Sequence, residues 1–358
     1  MGLPSIDISF REAGARALER GKKGTVALIL EDTLQAGAIE ISSVTEIPSG
    51  LNDFNKTQVE LAFLGYQTPP KKIILYIVPV GTELAPVSYT EAKEYLETVK
   101  WNYLAIPEIS EADVPSIGTW IKSLRSTKRK KVKAVLPNHP GDHEGIINVT
   151  TAWMKTKDKE YTVAEYCARI AGLLSGTPLS IASTFAPLPE VIDCEKLTIE
   201  EYNSRIDAGE FMLYHDGEKV KVARGVNSLV TTTESKLKSF KKIKIVEAMD
   251  LIYDDVRMTA EDNYLGKYAN SYDNKCLLIT AVKGYLEELE REGVLLKGSS
   301  VVEIDIDAQR AYLKATGYAV EEMSTKEIKE AETDDKVFLK ASIKILDAIE
   351  DITLPIAI

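Results

Sequence analysis

The sequence predicts an α/β layer built on a mainly parallel sheet, followed by a region in which helices dominate. Three observations carry that expectation. From Ser88 onward helical and extended patterns alternate at the size expected of βα units. The stretch "KKIILYIVPV" is continuously apolar after its two lysines, as a buried strand is, and Pro79 ends it. Beyond Phe240 the apolar residues fall mostly at helical spacing, as in Ile245, Met249, Ile252 and Val256.

In chain order, "SIDISF" places Ile6, Ile8 and Phe10 opposite Ser5, Asp7 and Ser9, a one-faced strand. "REAGARALERGKKG" follows, where Gly14, Gly21 and Gly24 favour a linker. "TVALIL" and "AIEISSVTEI" read as strands. "NDFNKTQVELAFLG" reads as a helix capped by Asn52 and stopped at Gly65. Then "SYTEAKEYLETVK" is helical, "WNYLAIPE" a strand, "ADVPSIGTWIKSLRSTK" helical and "KVKAVLPN" a strand. "YTVAEYCARIAGLLSG" is a helix with Gly176 at its end. "EFMLYHDGEKVKVARG" carries a hairpin signal at His215-Asp216-Gly217. In the last part "NKCLLITAVKGYLEELEREG" is a helix and "VVEIDIDAQRAYLKATG" a strand passing into a helix. In "KVFLKASIKIL" Val337, Leu339, Ala341, Ile343 and Ile345 share one face of a strand, and in the closing residues Ile352, Leu354, Ile356 and Ile358 alternate with Thr353, Pro355 and Ala357.

The chain has 358 residues, enough for two or three domains, with 44% hydrophobic and 28% charged residues. Its net charge of −11 argues against nucleic acid as a partner of the whole surface. Cys167, Cys194 and Cys276 are scattered and odd in number, which suggests a reducing compartment and neither a disulfide framework nor a zinc knuckle. The start lacks the pattern of a signal peptide, and no segment has the length of a membrane span. The expectation is a protein made in the cytoplasm, with no membrane partner.

Candidate chemistry is sparse. "NHPGDHEG" gathers His139, Asp142, His143 and Glu144, but it lacks HExxH spacing and Pro140-Gly141 make it a turn; a solvated loop is expected and no metal. "SGTPLSIAST" resembles the turn that opens the nucleophile helix of subtilisins, with Pro178 where the serine would stand. Proline has no hydroxyl, and three histidines leave few bases for a Ser-His-Asp set. Neither GxGxxG nor GxxxxGK occurs, so no nucleotide cofactor is expected. The run "LRSTKRKKVK", Arg125 to Lys133, reads as a solvated helix end and loop, or else as a contact for an acidic neighbour such as the stretch from Glu321 to Asp335. A catalytically active hydrolase or metalloenzyme on the α/β layer is the alternative reading, and a static shell or tube subunit a third.

The strands at the two tips have no stability alone and need a sheet to join. Charged segments connect them to the body. If those reach outward, the sheet belongs to another copy, and a donor strand and acceptor edge on different faces propagate into rings or helices.

The segments "KVARGVNSLVTT", "KIKIVEAMDLIYDDVR", "YLGKYANSYDNKCLLITAVKGYLEELEREGVL", "VEIDIDAQRAYL" and "KVFLKASIKILDAIEDITLPIAI" resemble tail sheath proteins of contractile phages and R-type bacteriocins. The similarity is greatest to PBSX-like and diffocin-like sheath subunits and runs over nearly the whole chain. It implies no enzyme and no cofactor. It implies a subtilisin-like α/β domain without catalytic residues over residues 88–240 and a C-terminal α+β domain over 241–346. A small outer domain would cover 24–87, with an N-terminal arm and linker at 1–23 and a C-terminal arm at 347–358. The arm strands, Ser5, Ile6, Asp7, Ile8, Ser9, Phe10 and Ile352 to Ile358, would exchange between subunits. The strand of Val337, Leu339, Ala341, Ile343 and Ile345 would receive them. Hexameric rings would stack around an inner tube protein, with baseplate and terminator proteins as further partners, and contraction would drive the tube into a target cell. Lys283, Glu287, Glu288 and Arg291 are candidates to face the tube. Assembly would occur in the bacterial cytoplasm, with release by lysis.

Overall fold

The computed structural model describes residues 24–357 apart from 83, 84 and 235. The N-terminal arm strand of residues 5–10 and most of its linker lie outside the described residues. Among the described residues the chain divides into two compact units, 24–250 with 347–357, and Leu251–Leu346.

The first unit begins with β1 (Thr25–Asp32), β2 (Gly37–Ile41), α1 (Asp53–Phe63), β3 (Lys72–Pro79), α2 (Thr90–Thr98) and β4 (Tyr103–Ala105). It continues through α3 (Val114–Ser126), β5 (Lys133–Pro137), β6 (Ile146–Val149), β7 (Trp153–Thr156), β8 (Glu160–Thr162) and α4 (Val163–Ser175). Then come β9 (Val191–Cys194), α5 (Ile199–Asp207), β10 (Glu210–Phe211), β11 (Leu213–His215), β12 (Val220–Val222) and the start of α6 (Ile243–Asn263). One sheet runs in the order β10-β6-β5-β4-β1-β3-β2, parallel except for β2 at its edge. Both faces are covered, so successive residues of one strand feed different cores. Val26, Leu28 and Leu30 pack on the face carrying α1 and α4, whereas Ala27 and Ile29 pack on the face carrying α2 and α3.

The starts of α1 and α4 are set by local capping chemistry. The Asn52 side chain accepts from the Asn55 amide at the head of α1, and Gly65 beyond its end has φ +60°. At α4, Thr162 and Glu165 form a reciprocal capping box. Gly172 lets α4 approach α1 closely, because a Cβ there would lie 2.0 Å from the Ala62 carbonyl oxygen. Two small sheets complete the unit, β8-β7-β9 and the β11-β12 hairpin expected around His215-Asp216-Gly217.

The expected boundary at residue 87 is not a boundary in the sheet. β1 lies between β3 and β4, pairing Val26 with both Ile73 and Tyr103, so residues 24–87 supply part of one continuous sheet and no separate small domain. Apolar strands covered on both faces carry no mark of which neighbours share their sheet.

The second unit holds the rest of α6, α7 (Tyr272–Arg291), β13 (Val301–Ile304), α8 (Ile306–Ala315), α9 (Thr325–Glu330) and β14 (Leu339–Ser342). Ala281, Val282, Tyr285, Leu286 and Leu289 form the buried stripe of α7, and the Tyr285 hydroxyl donates to the buried Asp255 carboxylate of α6 at 2.8 Å. Leu313, Val320 and Ile328 form a small core between α8 and α9.

Candidate assembly interface

The last described residues split into a held root and an open arm. Glu350 accepts from Lys242 Nζ at 2.9 Å and Arg224 Nε at 3.3 Å, and the Thr184 hydroxyl donates to its other oxygen. Lys242 also pairs with Asp347, and Arg224 with Asp351. Burial alone would lower the Lys242 ammonium, but Asp347 and Glu350 outweigh it and raise its pKa. The Asp351 hydrogen bond, ahead of Glu350, raises the Arg224 guanidinium. The charged segment at residues 347–351 therefore forms a clasp. Its parts were present in the sequence as "DAIED" and the basic residues of "KVARG" and "FKKIK", but nothing in their spacing places them together.

Beyond the clasp, residues 351–357 form no strand or helix. Ile352, Leu354 and Ile356 are 81%, 73% and 76% exposed, so these apolar side chains of the arm find no cover among the described residues. Thr353, Pro355 and Ala357 are exposed with them.

β14 pairs antiparallel with β13 in a two-stranded sheet, with Leu339 opposite Ile304 and Ala341 opposite Val302. The Asp305 amide donates to Phe338 O, the Leu296 amide to Lys344 O, and the Leu346 amide to Val294 O. The main-chain groups of Phe338, Lys344 and Leu346 thus point toward β13 and the segment before it. By strand alternation those of Val337, Leu339, Ala341, Ile343 and Ile345 point to the opposite, outer edge. The approach to β14 is fixed by Asn270, whose amide nitrogen donates to Thr333 Oγ1, Asp334 O and Lys336 O. Regular strand covers only Leu339–Ser342, shorter than the expected run, although Ile345 bridges to Leu295.

Lys283, Glu287, Glu288 and Arg291 all lie on the exposed side of α7, opposite its buried stripe. Lys283 and Glu287 form an i,i+4 pair at 3.8 Å.

The positions that chemistry would need are occupied by structure. Pro178 lines a cavity of about 10 Å³ with Leu174, Thr177, Leu179, Ile243 and Lys244, room for one water at most. In a doubly wound sheet the natural ligand crevice lies where strand order reverses, here at the end of β1. There the Asp32 carboxylate accepts from the amides of Leu34 and Asn52 and from the Asn55 side chain. "NHPGDHEG" is pinned, not solvated as expected. Asp142 Oδ1 accepts from the amides of Val230 and Thr231 at 2.7 and 2.8 Å, and Glu144 pairs with Lys236 at 2.9 Å. His143 Nδ1 accepts from the Gly145 amide, and burial lowers the imidazole pKa to about 4. His139 packs against Gly118. Among the described residues no group of three His, Cys, Asp or Glu side chains is placed to hold a metal ion.

The basic run also departs from its expectation. Arg125 and Lys133 are buried, and Arg125 makes a two-pronged pair with Asp250 at 2.8 and 2.9 Å. Lys133 reaches Asp250 at 2.6 Å and Glu247 at 2.8 Å, while the Tyr103 hydroxyl donates to Glu247. Lys128 pairs with Glu97 on the surface. Arg125, Lys133 and Tyr103 thus hold the first turns of α6 against α3, β5 and β4.

The model of the phage tail sheath protein central domain matches residues 83–228, and that of the phage tail sheath C-terminal domain matches residues 235–358. A tail sheath protein of Clostridium phage phiCD119 is 38% identical over 353 residues, 99% of this chain and 98% of the relative. A phage-like element PBSX protein of Bacillus subtilis is 34% identical over 183 residues, 49% of this chain and 39% of the relative. Among solved structures, the sheath tail protein of Desulfitobacterium hafniense superposes with TM-score 0.70 at 18% identity, over 84% of this chain and 94% of its own. The anti-feeding prophage helical sheath in its contracted state superposes with TM-score 0.71 at 15% identity, over 100% of this chain and 99% of its own. With two family models spanning most of its length and a near full-length relative, this chain belongs to the phage tail sheath protein family.

Proposed function

We propose that the chain is the polymerising subunit of a contractile sleeve, in which stacked hexameric rings surround an inner tube and contract to drive it into a target cell. It acts through stored conformational energy and not as an enzyme. The observation that carries the proposal is the open arm at residues 351–357, an alternating apolar segment without a sheet, on a chain that also holds a two-stranded sheet. Isolated strands and bare two-strand sheets are each marginal, and together they complete one another across subunits. The parallel layer stands as a subtilisin-like scaffold that has lost its catalytic residues. The N-terminal strand at residues 5–10 serves as a second exchanged arm, and the exposed side of α7 faces the tube. A phage tail or an R-type bacteriocin such as a diffocin, assembled in the cytoplasm and released by lysis, is the matching particle.

Deletion of residues 351–358 tests the proposal. The apolar side chains have no packing to lose and Asp351 gives up only a solvent-exposed pair with Arg224, so circular dichroism and melting stay unchanged while the striated sleeves of the intact chain disappear from negative-stain images. Each arm contributes a weak contact, since burying an apolar side chain yields about 1.5–3 kcal/mol and ordering the backbone costs about 1–2 kcal/mol per residue. A lattice multiplies such contacts. Sleeves that persist without the arm sink the exchange model, and smooth rigid tubes from the intact chain support the static-shell reading instead.

A further inference from the structure

We infer that the C-terminal arm joins the outer edge of β14 in a second copy of the chain through one edge only, the edge of Ile352, Leu354 and Ile356, and that Pro355 closes the sheet on the other side. The inference rests on the strand-exchange reading above and adds to it the hydrogen-bonding polarity.

In a strand, successive amides point to opposite edges. Thr353, Pro355 and Ala357 share one edge, and Ile352, Leu354 and Ile356 share the other. Proline has no N–H, so the first edge carries a gap at its centre and the second is complete. Strands that contain proline sit at sheet edges with the gap facing outward. The arm therefore adds to one neighbour and does not insert between two.

The receiving edge follows from the second unit. The outer groups of β13 are those of Val302 and Ile304 alone, because Asp305 caps α8 directly after it. The outer edge of β14 is longer. Alternation is preserved from Phe338 to Leu346 by the bonds of Asp305, Leu296 and Leu346 and by the Lys344 amide on Ser299 Oγ. Leu339, Ala341 and Ile343 thus offer consecutive outward amides and carbonyls over a span that suits residues 352–358. A paired arm also covers the kind of open edge that otherwise invites unspecific association.

A labelled peptide of residues 349–358, titrated into the full-length chain at subcritical concentration, tests the polarity by fluorescence anisotropy. Thr353→Pro and Ala357→Pro peptides bind within about threefold of the parent, whereas Leu354→Pro binds about tenfold more weakly than Leu354→Ala, the cost of a lost hydrogen bond with its partner left bare. In the chain, Ala341→Pro removes an outward amide and abolishes binding, while Val302→Pro on the β13 edge leaves it intact. Equal losses from proline at 353 and 354, no peptide binding at all, or binding that survives Ala341→Pro overturn the inference, and the peptide series decides it even if a chain variant fails to fold. Displacement of the peptide by one of residues 3–12 also overturns it, by giving the β14 edge to the N-terminal arm. Parity-dependent binding by a chain that builds no sleeves would refute the sleeve reading alone; sleeves without parity dependence would refute the polarity alone.

Discussion

Glu350 and Lys242 meet at 2.9 Å, with the Glu350 side chain only 6% exposed although the residues just beyond it are open to solvent. This pair sets where the body ends and the arm begins.

Glu350→Gln keeps the size of the side chain and removes its charge. Lys242 and Arg224 are 29% and 32% exposed, so the pair is screened and its loss costs about 1 kcal/mol. The loss is local, because the root opens without unfolding the sheet. Proteolytic cleavage between Asp347 and Asp351 should rise about fivefold, with the main melting transition unmoved. A cleavage rate equal to that of the parent chain would show that the clasp does not hold the root.

Asp250→Ala strikes a different kind of pair. It strips the two-pronged partner from Arg125, which stays buried, while Lys133 keeps only Glu247; breaking a buried pair in this way costs about 3–5 kcal/mol. The melting temperature should fall by roughly 10 °C. Replacing Asp250, Arg125, Lys133 and Glu247 together with apolar residues should recover much of the loss, and a drop below 2 °C in the single variant would mean that water reaches the site.

Asp142→Asn tests the loop electrostatics by pH. Hydrogen bonds from Thr231, then Val230, hold the Asp142 carboxyl at about 2, below its usual range. A depressed carboxyl stabilises the fold above its unfolded pKa near 4, and that stabilisation is lost as pH falls through the folded value. Asparagine accepts the same bonds without titrating and tolerates the positive φ of this position. The melting difference between parent and variant should be constant from pH 7 to 5 and narrow between pH 4 and 2. A difference that ignores pH would assign the loop to shape alone.

The continuous apolar runs of β1 and β3, the Asn52 cap and the stripe of Val282, Tyr285 and Leu289 were legible because each is a local pattern. β7, β8 and β9 were not, since "WMKT", "EYT" and "VIDC" are too short and mixed to show a period. The same limit hid the ion pairs. Arg125 and Asp250 are 125 residues apart, and charge identity alone does not distinguish a buried cation from a solvated one. At the candidate interface the alternating arm was visible, but its root was not, because Glu350 finds Thr184 across 166 residues.

The alternation of β1 between two cores has a mechanical consequence. A slip of one residue would send Leu28 into the space of Ile29 and every neighbour likewise, so the central strand resists shear along its axis. Its hydrogen bonds to β3 and β4 share such a load side by side. Force passing through the subunit during a stroke would be carried stiffly by the sheet, leaving the compliance to the segments at its margins.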